Sequence, residues 1–398
     1  LAAPRPPYPG SELHLMPTHH VLILGAGAAG VAAATALARH EDIHVTLVGR
    51  THETPYIRMH ITGVAFGPTL PETIHAPLPP VTVLADTATH LDPISSIVHL
   101  ASGAQLRYDA VIIATGSRPD TLTPGLPGRH TPAARHQVVT LHSIQDAQQI
   151  REHLTRTAGP SRVAIYGGGF TGAETASALH AAGHHVALIS RSRIPGRASF
   201  GAQIAAHITG IHRGKITTFL GRTITAVRDR SPLLGITLDD TTTLSADLLI
   251  TALGNAPTAP GPFSSGVPVD DRLRSTAPHV YAAGSTAIHR DDHLGIWRLD
   301  HWADAAAQGQ HAAAAVLHDR TGAADPGPYR PRSSYTSLIH GTAITGIGYT
   351  MTPATEGQGP GPGTLVTHTL NGALVGVSGV DAVATVHETA QHLHESAA

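Results

Sequence analysis

Residues 20–50, HVLILGAGAAGVAAATALARHEDIHVTLVGR, decide the fold. A short run of branched apolar residues turns at glycines, continues as an alanine-rich helical segment and ends in a second apolar run at 45–48. Strand, turn, helix and strand within about thirty residues make a βαβ unit. Gly25, Gly27 and Gly30 fall directly after the strand and before the helix, the context that makes G-x-G-x-x-G informative. The first glycine permits the tight turn, the second lets backbone N–H groups approach a pyrophosphate, and the third lets helix and strand pack closely. An anion held there sits on the helix N-terminus, where unpaired N–H groups and the dipole favour it.

The pattern returns at residues 163–191, VAIYGGGFTGAETASALHAAGHHVALISR, with Gly167, Gly169 and Gly172 in the turn and a second strand at 186–189. Two such units about 140 residues apart predict two nucleotide-binding domains. Beyond Tyr329 the pattern changes to short alternating stretches at 343–349, 363–370 and 373–380, then a polar helix-like segment near 382–396. That reads as a small α+β domain. The expected class is therefore α/β, with two Rossmann-like domains and a small C-terminal α+β domain. Residues 1–15 are read as a tag or linker, 16–120 with 256–325 as a discontinuous first domain, 121–255 as the second and 326–398 as the third.

Composition narrows the chemistry. The 398 residues contain 30 histidines, one lysine (Lys215) and no cysteine. Without thiols there is no disulfide framework, thiolate nucleophile or cysteine-ligated iron or zinc. Redox chemistry would need a borrowed cofactor. A net charge of −2 and a pI near 7.1 lack the basic excess that nucleic-acid binding requires. The histidines are scattered without ligand spacing, so no metal site is expected. Residues 21–38 are apolar but broken by glycines, so no membrane span is expected. Residues 1–15 lack the order of a signal peptide, Met16 reads as the natural start, and the expected location is the cytoplasm.

Three further segments fit a two-nucleotide flavoprotein. YDAVIIATGS at 108–117, with Thr115 and Gly116, is a buried strand ending where the chain would leave a flavin domain. TALGNAP at 251–257 looks like the return crossing, with Gly254 an expected cofactor contact, and VYAAGST at 280–286 like the last flavin-domain strand, with Gly284 and Ser285 expected to meet the flavin's ribityl and pyrophosphate. Together with RLDHWADAAAQ at 298–308 and Pro55-Tyr56-x-Arg58, these segments make the chain resemble the pyridine nucleotide-disulfide oxidoreductase superfamily, and within it the cysteine-free ferredoxin reductases of oxygenase systems. The resemblance runs from about His20 to Tyr349. It implies FAD in the first domain, NAD(P)H in the second, hydride transfer to the flavin and onward transfer to a ferredoxin-like carrier or a small molecule. It also allows a homodimer.

By the same resemblance, Glu174 lies near the nicotinamide, and Asp300, His301 and Trp302 lie beside the flavin ring, with Trp302 flanking or stacking on it. Arg58 and Thr115 remain as expected flavin contacts. Three positions depart from the family. The acid that accepts from the adenosine ribose falls on Thr51, with Glu53 as its substitute; the flavin-side lysine falls on Gly63; the acid after the Ala-x-Gly turn falls on Ser285. The NADH-selecting acid falls on Ser190, followed by Arg191 and Arg193, a set suited to a 2′-phosphate and so to NADPH over NADH. The principal reading is an FAD-dependent NAD(P)H oxidoreductase. The alternatives are a repurposed tailoring enzyme of secondary metabolism with weak, non-redox or absent FAD, and a non-catalytic nucleotide-binding protein.

Overall fold

A computed structural model describes residues 19–51, 54–131, 136–156, 159–351, 356–357 and 361–395. The expectations for residues 1–15, Met16 and Glu53 lie outside these residues. The first nucleotide-type sheet has five parallel strands in the order Val280–Ala282, Ala110–Ile113, His19–Leu24, Ile43–Gly49 and Thr82–Ala85. Its central strands are continuous apolar runs because both faces are covered: Ala110–Ile113 is buried at every position. One face is covered by helix Ala28–Leu37, on which helix Trp302–Thr321 packs. The two helices meet so closely that a Cβ on Gly309 would overlap the backbone carbonyl of Ala29. The alanine-rich sequence of the first helix is the counterpart of this approach, since longer side chains would hold the axes apart.

The second sheet repeats the design, again with five parallel strands: Thr217–Leu220, His185–Ser190, Arg162–Tyr166, Leu248–Thr251 and Val138–Thr140. Each sheet is accompanied by a three-stranded antiparallel meander, Ala88–Asp92 with Ile97–Leu100 and Gln105–Arg107, and Ile224–Arg230 with Leu233–Leu238 and Thr243–Ala246. The chain passes between the two units through a ribbon of two short antiparallel strands, Ser117–Pro119 and Asn255–Pro257.

The C-terminal sheet is antiparallel, in the order Ser334–Ile339, Thr342–Gly348, Ala373–Val380, Thr364–Leu370 and Glu356–Gly357. Three of these strands match the alternating stretches in the sequence. Ser334–Ile339 does not, and the tail helix is shorter than its polar segment suggests, running over Val383–Thr389 with a 3-10 turn at Ala390–His392. Ile339, Ile344, Val366 and Val380 of this sheet share one apolar cluster with Ala173, Phe200, Ile204 and Ile208, so the third unit is anchored on the second.

Candidate cofactor site

The first glycine turn opens a cavity of about 610 Å³, within the range of small-molecule and cofactor sites. Each glycine of the turn meets a different demand. Gly25 has φ +115° and a Cβ there would overlap the Ala114 carbonyl; a Cβ on Gly30 would overlap the Gly25 carbonyl. These two positions are closed by packing. Gly27 is exposed, and a Cβ on it would meet nothing within 4 Å. It caps helix Ala28–Leu37 without a side-chain hydrogen bond, and the first turn carries no acid. The helix therefore presents free N–H groups to the cavity with no internal anion competing for them. Such a cradle fits a pyrophosphate.

Twelve of the residues expected at the site line this cavity: Gly25, Gly27, Thr51, Arg58, Thr115, Gly116, Glu174, Gly284, Ser285, Asp300, His301 and Trp302. Gly30 stands behind it as packing. Gly63 is not on the wall; Ile61 and Thr62 are, and a Cβ on Gly63 would meet Thr69 Oγ1 at 2.6 Å. Gly254, an expected cofactor contact, is not on this wall and leads into the connecting ribbon, the return crossing expected of its segment. Its φ of +95° lets the chain turn into Asn255–Pro257, and its carbonyl accepts from Asp120 N at 2.9 Å.

At the Thr51 end a carboxylate arrives from an unexpected place. Asp86, just past strand Thr82–Ala85, lines the same wall as Arg50 and Thr51, and a side-chain hydrogen bond from Ser102 together with Thr87 N holds its carboxyl below the usual range. The position following the second strand therefore lacks an acid while the cavity does not.

At the opposite end the groups are cross-braced. Thr115 Oγ1 donates to Thr258 O, Thr258 Oγ1 donates to Thr115 O at 3.0 Å, and Thr286 Oγ1 donates to Thr258 O at 2.8 Å. Asp300 accepts from Ser285 Oγ and from Asn255 Nδ2, while Arg298 donates to Asn255 Oδ1 at 2.9 Å and to Ser285 O at 3.2 Å. The carboxylate at 300 is thus fixed by the small hydroxyl at 285. Gly284 N donates to Gln308 Oε1 at 2.7 Å, and Gln308 Nε2 donates to the buried carboxyl of Asp304 at 2.6 Å.

Arg58 does more than line the wall. Its guanidinium donates to His142 Nδ1 at 2.7 Å, and His142 Nε2 donates to Ser117 O at 2.9 Å. Burial and the nearby arginine push the His142 pKa down, which favours the neutral ring this geometry requires. The pair joins the first unit to the second beside the cavity, whose wall includes Arg58, Leu141 and Ser143. Neither His142 nor Asp86 was legible as a site residue, since each comes from an element far from any motif.

The second turn follows the first. Gly167 has φ +117°, and a Cβ on Gly167 or Gly172 would overlap the backbone carbonyl of Ala252 or Gly167 respectively. Gly169 caps helix Phe170–Ala181 without a side-chain bond, and a Cβ there would come to 3.2 Å from Ser199 Oγ. Ser190 is buried and its Oγ accepts from Ser192 N at 3.2 Å, so this hydroxyl is turned into its own loop. Arg191 and Arg193 are exposed, and neither forms an ion pair among the described residues. Glu174, one turn into the helix, reaches back to the main cavity, half-buried, and burial raises its pKa.

No group of metal-ligating side chains occurs among the described residues, and no described helix is long and apolar enough to cross a membrane. Comparison with known proteins agrees with this architecture. The model of the pyridine nucleotide-disulphide oxidoreductase family matches residues 19–309. The chain is 30% identical over 307 residues to the ferredoxin--NAD(+) reductase component of the p-cumate 2,3-dioxygenase system of Pseudomonas putida, covering 72% of this chain and 71% of that protein. It is 27% identical over 346 residues to a rubredoxin-NAD(+) reductase of the same species, covering 82% and 86%. A chain of the covalent putidaredoxin reductase–putidaredoxin complex superposes with a TM-score of 0.81 at 21% identity, covering 94% of this chain and 92% of that one, which is agreement of fold. Two glycine turns in matching steric settings, the crossing ribbon between them and a family match over most of the chain lead to one conclusion: the chain belongs to the pyridine nucleotide-disulphide oxidoreductase family.

Proposed function

We propose that the protein is an FAD-dependent NAD(P)H oxidoreductase that passes electrons to a ferredoxin-like carrier. The observation that carries this reading is the single cavity that takes in the open Gly27 turn of the first unit and Thr171 and Glu174 of the second, because it brings the nucleotide-type helices of both units to one continuous site. Bound FAD would accept a hydride from NAD(P)H and release electrons singly, chemistry that no side chain of a cysteine-free protein supplies. The relatives described above are reductases of ferredoxin or rubredoxin, which supports an acceptor of that class.

In this reading the chain binds and orients. The N–H groups behind Gly27 hold the pyrophosphate, while Arg50, Thr51 and Asp86 face the adenosine end. Asp300, fixed by Ser285 and Asn255, keeps lone pairs available to hydroxyl donors of the ligand chain. Trp302 and His301 cover the ring end, with the histidine held neutral because burial lowers its pKa. Arg191 and Arg193 favour the 2′-phosphate of NADPH, and Gly169 and Gly172 serve its pyrophosphate. We propose the division of the chain into 16–120 with 256–325, 121–255 and 326–398 on the same basis, and a cytoplasmic location, where NAD(P)H is regenerated.

The test is optical. Purified protein should be yellow or become so with FAD, with absorption near ~450 nm that anaerobic NADPH bleaches faster than NADH. Protein that takes up no flavin would overturn the reading. Flavin that neither nucleotide bleaches would favour a non-redox use of the same fold.

A further inference from the structure

Glu174 is the one cavity-lining carboxyl among the described residues whose pKa burial raises, and the residue that holds it does not belong to either nucleotide unit. Ser337 Oγ donates to Glu174 Oε1 at 2.7 Å. Ser337 lies in strand Ser334–Ile339, where alternation turns Tyr335, Ser337 and Ile339 to one face. Each has a distinct partner there. Ile339 enters the apolar cluster with Ala173 and Phe200, and Tyr335 packs edge-on against Phe170 with ring centroids 4.8 Å apart. Tyr335 also approaches His301, at 6.1 Å between centroids. Just beyond the strand, His340 N donates to Ser177 Oγ at 2.7 Å, one turn along the helix that carries Glu174. The strand is therefore seated on that helix at both ends, and the serine between them is buried.

We propose that Ser337 is a positioning residue that holds the Glu174 carboxylate in the orientation needed at the nicotinamide end of the cavity, so that the C-terminal unit completes the redox site. This rests on the oxidoreductase reading given above. Two influences act on the carboxyl: burial disfavours its charged form, and the Ser337 hydrogen bond favours it. Other titratable groups around it are occupied or uncharged. Burial pushes Tyr335 up to about 12 and lowers His301, and Arg58 is engaged with His142. Removing the serine hydroxyl leaves desolvation unopposed. The ionised carboxylate then persists only at higher pH.

The test uses the full chain with Ser337→Ala, Ser337→Thr, Ser337→Cys, Glu174→Gln and the double variant Glu174→Gln/Ser337→Ala. The first readout is the infrared carboxyl band that Glu174→Gln abolishes, titrated in cofactor-free protein. Its midpoint should move upward in Ser337→Ala and return in Ser337→Thr. Ser337→Cys keeps the volume with a weak donor and should move in the same direction if the alanine variant folds poorly. The second readout is flavin reduction by NAD(P)H in loaded protein. Below its shifted midpoint Ser337→Ala should be roughly tenfold slower, the loss of one hydrogen bond to a charged group, and recover as pH rises past that midpoint. In the Glu174→Gln background the serine substitution should change the rate by less than about twofold. An unshifted band, or equal rate losses with and without Glu174, overturns the proposal. A shifted band in protein whose flavin is never reduced would overturn the oxidoreductase reading and leave the Ser337–Glu174 coupling standing.

Discussion

Substituting Gly27 by alanine separates the two roles a glycine turn can have. Gly27 has φ −85° and ψ −166°, extended backbone open to any L-residue, and a Cβ there would meet no atom within 4 Å. In the cofactor-free protein the change therefore introduces no clash and no strain. By narrowing the unfolded ensemble it should stabilise the fold by about 0.4 to 1 kcal/mol. The bound state is different, because the methyl group occupies the space through which a pyrophosphate approaches the helix N–H groups. Losing about two charge-assisted hydrogen bonds at about 1.5–3 kcal/mol each corresponds to about 10² to 10⁴ in FAD affinity. Urea unfolding of apoprotein measures the first effect, and titration of flavin fluorescence the second. A variant that binds FAD within about threefold of wild type would show that no pyrophosphate approaches past Gly27, and an apoprotein destabilised by more than about 1 kcal/mol would make Gly27 a packing glycine like Gly30; either result refutes the reasoning.

Other expectations follow from the same geometry. Gly309→Ala forces a methyl into the Ala29 carbonyl between two packed helices and should destabilise the protein by about 1–3 kcal/mol in a denaturant titration, with flavin binding lost only as far as folding is lost. Gly169→Ala should weaken NAD(P)H binding while leaving the flavin spectrum and FAD content unchanged; a loss of FAD would contradict the assignment of the second turn. Arg191→Ala with Arg193→Ala should raise the NADPH KM by about tenfold or more and leave NADH nearly unaffected, and an equal effect on both nucleotides would rule out a 2′-phosphate contact. Asp300→Asn keeps the size of the side chain but replaces one carboxylate oxygen by a donor, so Ser285 and Asn255 can no longer both be accepted as they are now; FAD affinity should fall about tenfold or more in an equilibrium titration.

The parts legible in the sequence were those that sterics leave no freedom to vary. Gly25, Gly30, Gly167 and Gly172 are each pressed against backbone, and that requirement writes itself as a fixed spacing beside a buried strand. The strands of the parallel sheets were equally plain because burial on both faces makes them uninterrupted apolar runs. Strand Ser334–Ile339 was missed for the opposite reason. Its inward face carries a serine and a tyrosine with polar partners, so its alternation does not separate apolar from polar residues. Asp86 and His142 were missed because their roles arise only when distant elements meet, 84 residues apart in the Arg58–His142 contact. Gly254 was legible as part of the return crossing, and its positive φ serves the turn into the ribbon. Ser190 fits the spacing of a ribose contact, yet its Oγ accepts from Ser192 N within its own loop, a local bond that spacing alone does not disclose.

The connecting ribbon has a consequence for how such a protein changes over time. Entry to and exit from the second unit lie side by side, Ser117–Pro119 against Asn255–Pro257, so the two covalent joins to that unit occur at one place. A replacement of everything between them, including the arginine-bearing loop, leaves the ends of the gap where they were and asks for no new closure of the surrounding chain. A different second unit can therefore be joined at this ribbon while the first sheet keeps its register. What such an exchange must preserve is small and identifiable: the Arg58–His142 contact, the Asn255–Asp300 contact, and the seat that the helix carrying Glu174 offers to the C-terminal strand.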